Sequence, residues 1–271
     1  MNGYRCLETH ILHASDVIYW LDGSTAVDEE EMARLTAPLT LELTTRPRDL
    51  MVAHRTGKTA VWRRFSGAMI SGSPAEADKE YPTTSTPFTV AGTARDLAGR
   101  YNPRAFSLTA GLSGAREPAW YPNGHAVVLY PSPLGIRMGT AGGLVGTLRW
   151  ADAENVAPWA LLTLDVSVGL ADVRSFRAQA NRHGDFMLSL SQLPPLSQSI
   201  TYYQATLTIS ASTESAPEIP ADPETFESMT LGALGSADTF SADISLQVVP
   251  GETQLVRSFE KDHLTVKPGS P

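Results

Sequence analysis

Residues 144–211 constrain the fold more than any other part of the chain, because apolar and polar side chains alternate in segment after segment. After a tight turn at Asn181–Asp185, the side chains of Phe186, Leu188 and Leu190 fall on one face. The segments with strand-like patterns are Leu144–Trp150, Leu161–Val168, Phe176–Ala180 and Tyr203–Ser210. Short period-two segments separated by Gly, Pro and Asn turns are typical of an antiparallel β-sandwich. We therefore predict an all-β protein in which residues 144–211 form one sandwich.

This segment also repeats an order of glycine, aliphatic and aromatic positions. The positions are Gly146, Thr147, Leu148, Ala160, Leu162, Leu164, Gly184, Phe186, Leu188, Tyr203, Leu207 and Ile209. The order resembles that of the carboxypeptidase regulatory-like (transthyretin-like) domain, although the acidic residue that this family has before its glycine follows it here, as Asp185. The resemblance implies a non-catalytic β-sandwich module that packs beside enzymes, adhesins or assembly proteins, and it implies no catalytic residues.

Residues 38–131 are predicted to form a second antiparallel β-sandwich, joined to the first by a Gly- and Pro-rich linker at residues 132–143. Leu39–Leu43 alternates as a half-buried strand does, and His54–Lys58 lies between two apolar segments as a hairpin turn does. The turn at Asp96–Tyr101 resembles the one in residues 144–211, since a Gly is followed by an aromatic residue and then by alternating apolar residues.

The N-terminal region, residues 1–37, is predicted to be an arm outside both sandwiches. It contains one strand-like segment, Asp16–Leu21. Asp28 and Glu31 have the spacing of a capping box, which predicts one short helix over Glu29–Leu35.

The C-terminal region is predicted to be a linker followed by a tail. Residues 212–225 are acidic and rich in Pro, which favours an extended linker. Residues 226–271 contain three strand-like segments, and three strands are too few for an independent core. We expect them to add to an existing sheet, either in the same chain or in a neighbouring subunit. The alternating Ile244, Leu246 and Val248 are the candidate inter-subunit strand.

Composition limits the partners and the compartment. The formal net charge of −8 argues against nucleic acid as a partner, because neutralising phosphates requires clustered Lys and Arg. No segment has the apolar length that membrane insertion needs, and the start of the chain lacks the apolar core of a signal peptide. A single cysteine, Cys6, excludes an internal disulfide. We expect synthesis in the bacterial cytoplasm without a signal peptide.

No motif in the sequence predicts catalysis or a cofactor. Gly57–Thr59 matches the end of a phosphate-binding loop, but Val52 stands where the loop needs its first Gly. His10, His13 and Asp16 have a suitable spacing for metal ligands but lack further partners. No Gly-x-Ser-x-Gly nucleophile elbow is present. We therefore predict no catalytic, cofactor-binding or metal-binding residues.

Two adjacent aromatic residues, Trp120 and Tyr121, lie in a loop between Pro118 and Pro122. Aromatic side chains in an exposed loop can stack on a sugar ring or dock into a protein partner. They are the candidate contacts with a partner protein or a glycan, and the alternative is that they close one end of a sandwich.

The sequence favours a non-catalytic structural protein that binds other protein subunits of a larger assembly, including copies of itself. Our hypothesis is a component of a bacteriophage tail, a baseplate or a related phage-tail-like particle, located in the virion or particle. The first alternative is a carbohydrate- or cell-surface-binding module. The second alternative is an enzyme such as a glycosidase. Its two catalytic carboxylates come together only in the folded chain, so they leave no motif in the sequence.

Overall fold

The computed structural model describes residues 16–63, 87–111, 124–152, 155–169, 172–197 and 199–269, and these residues form strands and connecting turns. The described residues contain one 3-10 turn, Pro223–Thr225, and no α-helix. The first seven strands are β1 (Asp16–Asp22), β2 (Leu39–Thr45), β3 (Leu50–Arg55), β4 (Lys58–Arg63), β5 (Phe88–Asp96), β6 (Arg104–Ala110) and β7 (Gly124–Leu129). The other ten are β8 (Gly143–Trp150), β9 (Leu161–Ser167), β10 (Val173–Gln179), β11 (Asp185–Ser189), β12 (Tyr203–Ala211), β13 (Glu227–Gly232), β14 (Phe240–Ser241), β15 (Ile244–Val248), β16 (Thr253–Leu255) and β17 (Leu264–Pro268). The all-β prediction is confirmed.

Strands β1 to β7 form the first unit, a sandwich of two sheets. One sheet has the strand order β3-β4-β1-β7 and the other β2-β5-β6. Both sheets contribute apolar side chains to one core. At the centre of this core the indole of Trp20 packs edge-on against the ring of Phe106, with ring centroids 5.5 Å apart. The indole Nε1 of Trp20 donates to Thr59 Oγ1 at 2.8 Å. This bond provides the partner that a buried indole N–H requires.

The prediction of an N-terminal arm is wrong for residues 16–37. The strand predicted at Asp16–Leu21 forms, but β1 pairs with β4 on one side and with β7 on the other, so it is an interior strand. The short helix predicted over Glu29–Leu35 does not form. Instead, Glu31 N and Met32 N donate to Asp28 O in a single turn, and Leu35 N then donates to Trp20 O of β1 at 2.9 Å.

Strands β8 to β17 form the second unit around a single core. One layer contains β10, β9, β12 and β15, the other contains β11, β8 and β16, and β13 and β17 connect β12 to β8. The predicted inward residues Phe186, Leu188 and Leu190 are buried. Most pairings are antiparallel as predicted, but β16 and β17 both pair with β8 in parallel.

The C-terminal tail belongs to this second core, so its strands add to a sheet of the same chain, one of the two expected arrangements, and a contact of β15 with a neighbouring subunit stays a prediction. Strand β15 pairs with β12 of the same chain over five residues. Ile244, Leu246 and Val248 are 6%, 4% and 2% exposed, because they complete the apolar face that β9 and β12 begin. Residues 144–211 therefore supply five of the ten strands and do not close a sandwich alone.

The two turns that resemble each other in sequence also share a conformation. In each, an Asp or Asn side chain accepts two backbone N–H groups ahead of it, and a Gly three residues on has a positive φ and donates to that residue's carbonyl oxygen. Only Gly adopts this φ without strain. The turn residues are Asp96 with Gly99 (φ 69°) and Asn181 with Gly184 (φ 78°).

The place of β15 in the core can be tested with a pair of neighbouring substitutions. Leu246→Ala should lower the free energy of unfolding of the isolated chain by about 2–5 kcal/mol, because it leaves a cavity. Gln247→Ala, on the exposed side of the same strand, should change it by less than about 0.5 kcal/mol. Urea denaturation measures both. A Leu246→Ala chain as stable as the parent would show that the tail lies outside the core.

Candidate functional site

The two sets of residues that the sequence predicted to contact a partner lie in different parts of the chain. Trp120 and Tyr121 are outside the described residues. The candidate strand Ile244–Val248 faces the core with its apolar side chains, yet in the described part of the chain it pairs only with β12, so it is an edge strand. The described residues contain no group of three or more potential metal ligands, and no helix among them is long and apolar enough to cross a membrane.

A buried arginine joins the two units. Arg104, at the start of β6, is 4% exposed. Its guanidinium donates to Val128 O at 2.5 Å, to Asp222 Oδ1 at 3.0 Å and to Glu224 Oε1 at 2.6 Å. Charge-assisted hydrogen bonds are stronger than neutral ones. The predicted acidic linker therefore docks on the first unit over residues 222–224 instead of extending freely.

Further hydrogen bonds cross the same junction. The buried Asn102 amide donates to Gln179 O at 3.0 Å and to Ala180 O at 3.2 Å. Next to Arg104, Ala105 N donates to Ala221 O at 3.1 Å. Because each of these partners is a fixed backbone carbonyl, the orientation of one unit fixes that of the other.

Strand β3 is the most exposed strand of the first unit's larger sheet. Its first residue, Leu50, is buried, and the five residues from Met51 to Arg55 are exposed. Met51 and Val52 are 40% and 38% exposed, which is unusual for apolar side chains within a strand. In the described part of the chain β3 is also an edge, since β4 is the one strand there that pairs with it.

The hairpin register shows which backbone groups of β3 face outward. The two-residue turn closes on the pair Arg55↔Lys58, which makes that pair hydrogen-bonded. Hydrogen-bonded and non-bonded pairs then alternate, so Ala53 bonds to β4 while Val52 and His54 present their N–H and C=O groups to the open edge. The donation of Trp20 N to Gly57 O, on the other side of β4, fits this register.

Two contacts hold this edge in place. His54 Nδ1 lies 2.7 Å from Thr59 Oγ1, the same hydroxyl that accepts from the buried Trp20. Desolvation by partial burial lowers the pKa of His54, so the neutral ring is favoured. Arg63 donates to both carboxylate oxygens of Asp49 at 3.1 and 3.0 Å. Strand β3 is thus pre-organised as an extended strand before any partner binds.

Strand β2, at the edge of the first unit's other sheet, differs from β3. Its register with β5 shifts between Leu43 and Thr45, which is a β-bulge or similar irregularity. Bulges are one means by which natural edges avoid further strand pairing. The pairing of β3 with β4 is regular along its whole length. The contrast makes β3 the candidate interface of the first unit.

Charge also distinguishes the β3 hairpin from the rest of the chain. Residues 46–63 carry five basic side chains and one acidic one, whereas the whole chain has a net charge of −8. The basic residues are Arg46, Arg48, Arg55, Lys58 and Arg63, and the acidic one is Asp49. In contrast, residues 212–262 contain ten acidic and two basic residues. A cationic edge in one unit and an acidic surface in the other are complementary.

Comparison with known proteins adds little to this geometry. No protein-family model and no curated protein matches the sequence. Among solved structures, a double mutant of the shaft pilin SpaA from Lactobacillus rhamnosus GG aligns with 10% identity and a TM-score of 0.23, over 95% of this chain and 98% of the pilin. A TM-score this low does not establish a shared fold.

The sequence predicted the β3–β4 hairpin but not its exposed edge. The edge position of β3 depends on β1, which lies between β4 and β7. A usable signal was the run of basic residues in residues 46–63 of an acidic chain. The role of Arg104 had no sequence signal, because its acidic partners lie 118 and 120 residues away.

The junction can be tested at its buried arginine. Arg104→Met should lower the free energy of unfolding by about 3 kcal/mol. The substitution removes the guanidinium, so the Asp222 carboxylate and the Val128 carbonyl lose their hydrogen-bond donor. Arg63→Met is the control, since it removes an exposed ion pair that contributes at most about 1 kcal/mol. Equal effects of the two substitutions in urea denaturation would contradict the proposed junction.

Proposed function

We propose that this chain is a structural subunit that binds neighbouring protein subunits by strand addition at β3. The observation that carries the proposal is the exposed, regular edge of β3, with the backbone groups of Val52 and His54 facing outward. An added strand pairs with such groups, and the backbone hydrogen bonds supply affinity. It would also cover the exposed flanks of Met51 and Val52.

The partner that best fits the charge distribution is a second copy of the chain. The hairpin is cationic, and the second unit carries most of its acidic residues on exposed positions in residues 212–262. Strand β15 provides a suitable edge there, since in the described residues it pairs only with β12, and the exposed Asp243 immediately precedes it. The hairpin of one copy would then pair with the second unit of the next. Such a head-to-tail contact is heterologous and generates a ring or an open filament.

The rigid junction suits a subunit of this kind. Because Arg104 and Asn102 fix the orientation of the two units, a contact at one end of the chain has a defined direction relative to the other end. A defined direction is what a repeating assembly needs in order to propagate. The narrower proposal is a tail or baseplate component of a phage-like particle. It rests on the all-β architecture and on the resemblance of residues 144–211 to a module common in assembly proteins.

The proposal can be tested with proline at adjacent positions of β3. Val52→Pro should fold, because the N–H that it removes faces the open edge, and it should block strand addition. Sedimentation at low ionic strength should show the parent as species larger than its 29.1 kDa monomer and Val52→Pro as the monomer. Added salt should weaken the parent assembly, since screening reduces charge complementarity.

Two controls separate the backbone effect from other changes. Val52→Ala removes the same side chain but keeps the N–H, so it should retain most of the self-association. Ala53→Pro removes an N–H that bonds to β4 and should therefore lower the stability of the hairpin itself. A folded Val52→Pro chain that assembles as the parent does would disprove strand addition at β3. A parent that stays monomeric at all concentrations and low salt would disprove the self-partner.

A further inference from the structure

A groove at the junction of the two units is surrounded by the most exposed apolar side chains of the described residues. The three with the highest exposure are Leu134, Leu97 and Ile219, at 89%, 82% and 66%. Leu97 and Leu134 line the groove, and Ile219 lies between the lining residues Glu218 and Pro220. The groove has a volume of about 480 Å³. Single exposed apolar side chains are common on protein surfaces, but several around one concavity are typical of an interaction site.

Hydrogen bonds fix the two turns that carry the exposed leucines. Leu97 lies in the first of the two related turns, residues 96–99, and Leu134 lies in a turn that begins at Ser132. The two turns are joined to each other. Ser132 donates from its backbone N to Arg100 O at 2.8 Å and from its Oγ to a carbonyl oxygen of the first turn. Both leucines are therefore held at the groove by backbone that has little freedom to turn them inward.

The segment that connects β12 to β13 forms another side of the groove and carries Ile219. The carbonyl oxygen of Ala216 accepts from Trp159 Nε1 at 2.9 Å and from Ile219 N at 3.1 Å. On the other side of Ile219, Ala221 O accepts from Ala105 N of the first unit at 3.1 Å. Because the segment is held on both sides of Ile219, the groove is formed before any partner binds.

The charged side chains at the groove have both signs. Arg95 and Arg182 line it and are exposed, and so is Glu218. A further acidic lining residue, Asp96, is buried in its turn, where it accepts a backbone N–H. The whole chain has a net charge of −8, so two copies repel each other over most of their surfaces. Two grooves can instead approach with an arginine of each copy facing Glu218 of the other, which makes this surface complementary to itself.

We propose that this groove is the interface of a symmetric dimer of the chain. In a two-fold contact the same surface of both copies meets, so each copy places its projecting leucines against the groove of the other. The contact removes Leu97, Leu134 and Ile219 of both copies from water, which supplies the driving force. The described lining comes from elements other than β3, so this dimer is independent of strand addition. A chain with both contacts would build a paired assembly instead of a single ring or filament.

The salt dependence of this dimer is opposite to that of strand addition. At low ionic strength the net charge of −8 on each copy opposes the association of two grooves. Added salt screens this repulsion, while the burial of apolar side chains does not depend on charge. Strand addition at the cationic hairpin depends on charge complementarity, so the same salt weakens it. The two contacts can therefore be measured separately.

The test is sedimentation equilibrium of the full chain in about 0.5 M NaCl, at protein concentrations up to about 200 μM. We expect the parent to reach about twice its monomer mass of 29.1 kDa. Val52→Pro, which blocks strand addition, should dimerise equally well. A dimer that Val52→Pro abolishes would show that β3 makes the contact and would overturn the proposal. A parent that stays monomeric at every concentration in this salt would also overturn it, in favour of a different protein as the occupant of the groove.

Three variants locate the contact. Leu97→Ser and Leu134→Ser should each weaken the dimer by at least about tenfold, because a two-fold contact loses the side chain twice. Both variants should fold as the parent does, since these side chains are almost fully exposed in the monomer. Val173→Ser is the control, because Val173 is also an exposed apolar residue, at 55%, but lies on β10 outside the groove lining. It should dimerise within about twofold of the parent. Equal losses in Val173→Ser and Leu134→Ser would show non-specific apolar association and overturn the groove as the interface.

Discussion

The guanidinium of Arg104 is the contact on which the arrangement of the two units depends. It donates to a carbonyl of the first unit and to two carboxylates from the segment that connects β12 to β13. A buried cation requires such partners, so the segment cannot leave without a large energetic cost. This contact and the amide of Asn102 join two cores that are separate in their packing. The groove at the junction and a defined direction for assembly both follow from this.

Local pattern predicted the strands well, because the period-two alternation is a property of each strand by itself. Phe186 and Leu188 are buried as their alternation indicated, and the Gly99 and Gly184 turns have the same conformation. The partners of the strands were harder to predict. Strand β1 has the sequence of an ordinary strand, and nothing in it shows that β4 and β7 flank it. The same holds for β15, whose partner β12 lies some 40 residues earlier.

The sequence identifies core residues more readily than it identifies the edge strands of a sheet. The burial of Leu246 follows from its apolar side chain, but the exposure of Met51 and Val52 follows from the position of β3 at the end of a sheet order. Position in a sheet is a property of the whole topology, so it could not be read from residues 50–55. The basic residues around this strand were visible in the sequence, and their meaning depended on finding an open edge among them.

The most direct test of the account is backbone hydrogen exchange within β3. In dilute, monomeric protein the amides of Val52 and His54 should exchange rapidly, while those of Ala53 and Arg55, which bond to β4, should exchange slowly. When the protein is concentrated at low salt so that it assembles, Val52 and His54 should become protected and the other two should change little. Protection of Val52 and His54 in the monomer, or their rapid exchange in the assembly, would contradict an open edge that binds neighbouring subunits.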